Sequence, residues 1–270
     1  RFRAGAGWRR HFRLEAAASM AGRSLILIRH AQSMNNCIQL QVEEEMRKGR
    51  LTAEQATSTW LASRSVDPGL SPQGKEEAIR TGQHIKRILG EGGELMSSPM
   101  LRAIETAAPI AMALGIPCRV SPLACEVGGM YEWKDGKYLP AAGLSAAAIR
   151  ERFPFCRTEL LKQEGSWNEL VGKETAEQNR ERAEKFASWI KRRVVETPAE
   201  ERGSPLIVVT HSDFLDLLLK ALFSVSDTSK KFVFKVDNCS LTEVFLPIVF
   251  CEEGKEVPVL NYLNRNHHTM

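Results

Sequence analysis

Nowhere in the 270 residues is there a run of about 18 uncharged apolar residues, so no membrane-spanning helix is expected. The N-terminus lacks the compact apolar segment of a secretory signal, and no internal repeat is visible. Cysteine is present but unpatterned. Cys37, Cys118, Cys125, Cys156, Cys239 and Cys251 are scattered with no CxxC spacing. A domain of this size needs neither a disulfide framework nor a structural zinc, so the thiols read as reduced and the protein as intracellular. An excess of one charge is also missing from most of the chain. Residues 1–23 hold six Arg against Glu15, a balance of +5, while everything from Ser24 onward sums to −1. A nucleic-acid-binding fold would carry its basic excess as a stripe on folded elements, so no nucleic-acid partner and no membrane partner are expected.

What is present is an ordinary globular composition, 43% hydrophobic and 26% charged, sufficient for a large core. Residues 1–23 read as a basic leader, expected to be disordered. Residues 1–19 look like sequence upstream of a start at Met20, with an organellar transit segment as the competing reading. The location expected is therefore cytoplasmic, or organellar if the leader directs import. Residues 24–270 read as a single catalytic domain.

Within that domain, apolar strand-like runs alternate with helical periodicity. Strands are predicted at Leu25–Ile28, Glu94–Ser97, Cys118–Ser121, Leu206–Thr210 and Leu241–Phe250. A helix over Gly74–Leu89 aligns Ala78, Gly82, Ile85 and Leu89. A second, over Thr175–Val195, aligns Ala183, Phe186, Ile190 and Val194 and opens with a Thr175-Ala-Glu-Gln178 capping box. This alternation predicts an α/β three-layer sandwich, with a mostly parallel central sheet and helices on both faces. Residues 37–66, a polar helical insert, and 128–172, mixing Gly, Pro, Trp and Tyr, break the rhythm and read as inserted caps over a site.

Chargeable residues gather where the strands end. The first strand runs into Arg29-His30-Ala31-Gln32-Ser33-Met34-Asn35-Asn36, and the strand Leu206–Thr210 into His211-Ser212-Asp213 and an apolar-faced helix. The strand Glu94–Ser97 runs into Ser98-Pro99-Met100-Leu101-Arg102, where Ser98 suits an N-cap and Pro99 a first helical position. Ligands of open α/β sheets bind beyond the carboxyl ends of strands. Two arginines, two histidines and a helix N-terminus suit a tetrahedral dianion, since guanidinium forks match phosphate oxygens. One imidazole can attack phosphorus when neutral while the other stabilises charge building on the phosphoryl oxygens. The leaving group also needs a proton donor. Glu126 in Leu123-Ala-Cys-Glu-Val-Gly-Gly129 is the first candidate, with Glu132 and Asp213 in reserve.

These motifs, in this order, resemble the histidine phosphatase superfamily, also called phosphoglycerate mutase-like, over about residues 24–250. Arg29-His30-Ala31 is similar to the Arg-His-Gly signature, with Ser33 and Asn36 at the following polar positions. Asp67-Pro-Gly-Leu-Ser-Pro-Gln-Gly74 is similar to the segment before the first long helix. Ser97-Ser98-Pro99-Met-Leu-Arg102-Ala-Ile-Glu-Thr106 is similar to the Arg-bearing motif, and Thr210-His211-Ser212 stands at the distal histidine. The resemblance implies His30 as a nucleophile that becomes phosphohistidine, and Arg29, Arg102 and His211 as the phosphate pocket. It also implies Glu126 as proton donor, with Ser33, Asn36 and the backbone N–H of Ser212 assisting, and neither metal nor cofactor. The phosphatase branch is expected rather than a glycolytic mutase, because Cys125–Met130 departs from the mutase Asn-Glu-Arg-x-Tyr-Gly segment. The expected partner is a phosphorylated small molecule, or a phosphoprotein. A mutase and a non-catalytic phosphate-binding scaffold are the rivals. Met130, Tyr131, Trp133, Tyr138 and Trp167 suit either a pocket lining or an anchor for the cap. Lys134, Lys137 and Lys173 read as solvated charges that can also read a second anionic group. His84 falls on the polar side of its helix, and His267-His268 read as tail.

Overall fold

Leu25, Leu27, Leu206 and Val208 point to one side of the central sheet, and Ile26, Ile28, Ile207 and Val209 to the other. Both sides are covered, so these strands are apolar at consecutive positions rather than at alternate ones. The computed structural model describes residues 22–168, 172–225, 232–248 and 257–269. Its strands are β1 (Gly22–Arg29), β2 (Glu94–Ser97), β3 (Cys118–Val120), β4 (Tyr131–Lys134), β5 (Lys137–Pro140), β6 (Cys156–Arg157), β7 (Leu206–Thr210), β8 (Leu241–Pro247) and β9 (Val259–Arg265). Its helices are α1 (Met34–Arg47), α2 (Ala53–Ser63), α3 (Pro72–Leu89), α4 (Leu101–Leu114), α5 (Ala146–Arg152), α6 (Ala176–Glu196) and α7 (Ser212–Leu222).

Seven strands form one sheet in the order β6-β3-β2-β7-β1-β8-β9. The first five run parallel, β8 pairs antiparallel with β1, and β9 pairs antiparallel with β8. Helices α6 and α7 cover one face through Phe186, Ile190, Phe214 and Leu218, and α3 and α4 cover the other through Ile85, Ala107 and Ile110. This is the expected three-layer α/β sandwich. No described helix is long and apolar enough to cross a membrane.

Local chemistry explains the element ends. Thr175 and Gln178 close the capping box of α6, and Thr52 and Gln55 close that of α2 in the polar insert. Helix α3 starts at Ser71, which caps Gly74 and donates to Gln32 Oε1 at 2.7 Å. Gly74 sits so close to the loop after β1 that a Cβ there would lie 2.0 Å from the Gln32 carbonyl oxygen.

Several expectations need correction. Helix α4 begins at Leu101 with Met100 as its N-cap, not at Pro99 behind Ser98. Its end is capped from a distance, because Asp67 Oδ1 accepts the Leu101 N–H at 3.0 Å. Strand β3 ends at Val120 and β8 at Pro247, short of the predicted Ser121 and Phe250, and Phe250 lies outside the described residues. The segment 128–172 is more than a cap: β6 extends the main sheet, while β4 and β5 form a separate hairpin through Asp135-Gly136, both at positive φ. His268 is not free tail, since its ring stacks on His84 with centroids 4.5 Å apart. Arg23, counted with the leader's charge, belongs to β1, is buried, and pairs with Glu94. Residues 1–21 and Cys251 lie outside the described residues.

Candidate active site

Parallel pairing of β1 with β7 puts Arg29 beside Thr210, so the residues that follow each strand, His30 and His211, emerge together. The two buried rings lie 5.1 Å apart, centroid to centroid, although 181 positions separate them in the chain. His30 is anchored through its backbone, its N–H donating to Thr210 O at 2.8 Å and its carbonyl accepting from Asn238 Nδ2 at 2.8 Å.

The hydrogen bonds of the His30 ring select one tautomer. Nδ1 lies 2.7 Å from the Ala31 carbonyl, an acceptor only, so Nδ1 carries the proton. Nε2 is then the lone pair, and Arg102 Nε donates to it at 3.1 Å. Burial, followed by the charges of Arg102 and Arg29, holds His30 well below the ordinary imidazole range, so the ring is neutral. His211 is depressed in the same way, by burial first and then by Arg102. Its Nε2 is 2.7 Å from Ser98 Oγ, while its Nδ1 is buried without a partner among the described residues.

Arg29 reaches across to the Val236 carbonyl at 2.8 Å, leaving its buried Nε unpartnered. Arg102 occupies the first turn of α4, and the Arg102 carbonyl accepts from Thr106 Oγ1, which in turn accepts the Ala31 N–H at 3.0 Å. Ser33 and Asn36 close a capping box at the start of α1. Asn36 Oδ1 accepts from Ser33 N and Ser33 Oγ at 3.0 Å each, which turns its amide NH2 away from the cap. Ser212 is the first residue of α7, where a helix leaves N–H groups without internal acceptors.

Glu126 follows β3 on the loop after the turn Pro122–Ala124. Its Oε1 accepts the N–H of Val127 at 2.8 Å and that of Phe214 at 3.0 Å, so the carboxyl caps α7 beside His211. Burial, and then the charge of Asp213, raise its pKa against the opposing pull of Arg102. Of the reserve acids, Asp213 is exposed on the first turn of α7 and Glu132 is exposed on β4, neither hydrogen-bonded to this set among the described residues. The structure thus brings Arg29, His30, Arg102, Glu126, His211 and Ser212 to the carboxyl ends of four adjacent strands, with Ser33 and Asn36 beside them.

Three groups of this site escaped the sequence reading. Asn238 and Val236, which hold His30 and Arg29, lie before β8 in a stretch with no local signature. Arg182 on α6 donates to the carbonyls of Leu123, Cys125 and Glu126 and pairs with buried Glu174, tethering the Glu126 loop. Arg64, just after α2, stacks on Trp60 and Tyr131. Of the residues left open, Met130 and Trp167 pack into the cap core, whereas on the hairpin Tyr138 meets Tyr131 edge-on and Trp133 at a tilt. Among the described residues, no three His, Cys, Asp or Glu side chains are grouped to hold a metal ion.

Comparison with known proteins matches residues 25–261 to a profile described as histidine phosphatase superfamily (branch 1). No curated protein sequence matches the chain. Among solved structures, a mycobacterial glucosyl-3-phosphoglycerate phosphatase complexed with VO3 is 19% identical, with a TM-score of 0.54 over 90% of this chain and 99% of that one. The ecdysone phosphate phosphatase of Bombyx mori in complex with tungstate is 17% identical, with a TM-score of 0.52 over 82% and 88%. A second mycobacterial protein, described only as a hydrolase, is 18% identical, with a TM-score of 0.57 over 92% of each chain. Identities this low speak for a shared fold.

Proposed function

Since the chain belongs to the histidine phosphatase superfamily, we propose that it hydrolyses phosphomonoesters through a phosphohistidine on His30. The observation that carries this reading is the setting of the buried His30 ring: Nδ1 lies on the Ala31 carbonyl and Nε2 faces Arg102 Nε, which with the depressed pKa leaves Nε2 as a free lone pair. Two fold relatives hold vanadate or tungstate, oxyanions that mimic phosphate, which supports an oxyanion pocket here.

A phosphoryl group at Nε2 draws Arg102 onto its oxygens, and the unpartnered Nε of Arg29 and Nδ1 of His211 gain acceptors. The Ser212 N–H and the Asn36 amide serve the same oxygens. His30 Nε2 attacks phosphorus as the ester P–O bond breaks, and the leaving oxygen takes the proton of Glu126. The positive charge that develops on the ring is stabilised through Nδ1–H by the Ala31 carbonyl. Glu126, now a carboxylate, removes a proton from water as the water oxygen displaces His30. This releases phosphate and restores both the neutral ring and the protonated acid.

Trapping tests the reading. Brief mixing with 32P-labelled phenyl phosphate and an alkaline quench should leave acid-labile label on the protein, absent from His30→Ala together with turnover. Full turnover in His30→Ala would overturn the nucleophile assignment, and label that leaves only when a phosphate-accepting alcohol is added would favour a mutase.

A further inference from the structure

The rim of the site carries two cations that the chemistry above does not use. Arg64 leaves the end of α2 and lies 4.4 Å from the centroid of the Tyr131 ring, its Nη1 donating to the Tyr131 carbonyl at 3.3 Å. Lys173 Nζ approaches the same ring at 5.2 Å and the Tyr138 ring at 4.6 Å. Two cations therefore share one aromatic platform, and among the described residues neither has a carboxylate within salt-bridge distance. Glu174, the neighbour of Lys173, is taken by Arg182. Arg64 Nε is buried and unpartnered among the described residues, an uncommon state for a polar atom that packing has desolvated.

Both cations are tied to the phosphate pocket. The neighbour of Arg64, Ser65, exchanges hydrogen bonds with Asn35 on the first turn of α1, next to Asn36. On the other side, Tyr131 follows the Glu126–Met130 loop. Lys173 packs so closely along Gly128 that a Cβ there would lie 3.3 Å from its side chain, and the next residue, Glu174, donates its N–H to the Gly128 carbonyl. The pair thus flanks the pocket, Arg64 beside the first turn of α1 and close enough to Arg102 to lower its pKa, Lys173 along the loop that carries Glu126.

We infer that Arg64 and Lys173 form a subsite for a second anionic group, a carboxylate or a further phosphate, on the leaving-group portion of the substrate. This rests on the phosphomonoesterase reading for the placement of the first phosphate. The aromatic platform spreads the two positive charges and holds them forward, and a bound anion supplies the hydrogen-bond partner that Arg64 Nε lacks. The substrate class is then a phosphate ester of a small acid or of a second phosphate, rather than of a neutral alcohol.

Binding of non-hydrolysable phosphonates tests this without requiring turnover. Calorimetry would compare alkyl phosphonates of two to six carbons ending in methyl, carboxylate or a second phosphonate, so that no reach is assumed. The wild type should bind at least one anion-tipped chain about 10- to 100-fold more tightly than its methyl counterpart, and the better tip identifies carboxylate or phosphate as the group read. That ratio should fall about tenfold in Arg64→Gln and in Lys173→Gln, and invert in Arg64→Glu. A ratio near one in the wild type, or one that persists in all three variants, overturns the subsite. Failure of every phosphonate to bind, together with no hydrolysis of phenyl phosphate, instead overturns the phosphomonoesterase reading. A variant that misfolds would lose binding of the methyl-tipped chain as well, so Lys173→Gln, at an exposed position, remains an independent arm.

Discussion

Glu126 is pulled two ways, and the outcome is chemical. Burial raises its pKa, while Arg102 and two backbone N–H groups lower it, with burial the larger effect. A raised value keeps the carboxyl protonated to a higher pH than a solvated glutamate, as a proton donor to a leaving oxygen requires. In the proposed mechanism the protonated form is the active one, so kcat for an alkyl phosphate should decline as pH rises through that raised value. Glu126→Gln should remove this alkaline limb and lower kcat for alkyl phosphates by about 10²- to 10⁴-fold. It should slow the first-turnover burst of p-nitrophenol from p-nitrophenyl phosphate far less, because that leaving group departs without a proton, although the later water step still needs the carboxylate. An equal loss in the phosphorylation step of both substrates would contradict the role. His30 has the opposite sign. Its depressed pKa keeps it neutral well into the acid range, so the proposed nucleophile is lost only at lower pH.

At the scale of elements, helix ends organise the pocket. The ends of α4 and α7 are capped by carboxylates from far along the chain, Asp67 and Glu126, so each cap also fixes a loop at the site. Arg182 does the equivalent for the strand-end loop, holding three of its carbonyls. Arg182→Met should leave Glu174 buried and unpaired and cost about 3 kcal/mol in urea unfolding. Adding Glu174→Gln should restore much of that stability without restoring kcat for alkyl phosphates, because the Glu126 loop stays untethered. Recovery of both together would reduce Arg182 to a purely structural part. Legibility differs among the elements. β1 and β7 each hold a four-residue apolar core and α6 opens with a capping box, all local signals. β9 presents alternate residues to solvent and exists as a strand through its pairing with β8. The Asp135-Gly136 turn between β4 and β5 was a hairpin signal in the sequence itself, obscured by the short flanking strands.

Across the whole molecule, Glu94 is the charged counterpart of the apolar core. It joins Arg23 of β1, Arg119 of β3 and Arg193 of α6 at the amino end of the parallel strands, away from the carboxyl ends where the site lies. Arg23 is only 4% exposed, so Glu94→Ala leaves a buried guanidinium that keeps its hydrogen bonds to Ser204 O and Thr197 Oγ1 but loses its counter-charge. The unfolding free energy should fall by about 3 to 5 kcal/mol with an unchanged urea slope, while KM for a phosphomonoester stays as it was in the folded fraction. A loss under 1 kcal/mol would show that the hydrogen bonds to Ser204 O and Thr197 Oγ1 suffice for Arg23 without the carboxylate.

The sequence by itself determined the class of fold, because strands buried on both faces must be apolar at every position and helices buried on one face must show a 3.6-residue period. It also supplied the residues at the strand ends, Arg29, His30, Arg102, Glu126 and His211, since a site beyond a strand's carboxyl end follows directly on the strand in the chain. Only the tertiary structure decided which of these face one another and in what protonation state. The β1/β7 register set His30 against His211, and burial together with neighbouring charge made both neutral. Only the tertiary structure revealed Asn238, Arg182 and Arg64. Each lies in a polar stretch that locally reads as solvated, and desolvation and partnership depend on the fold rather than on sequence neighbours.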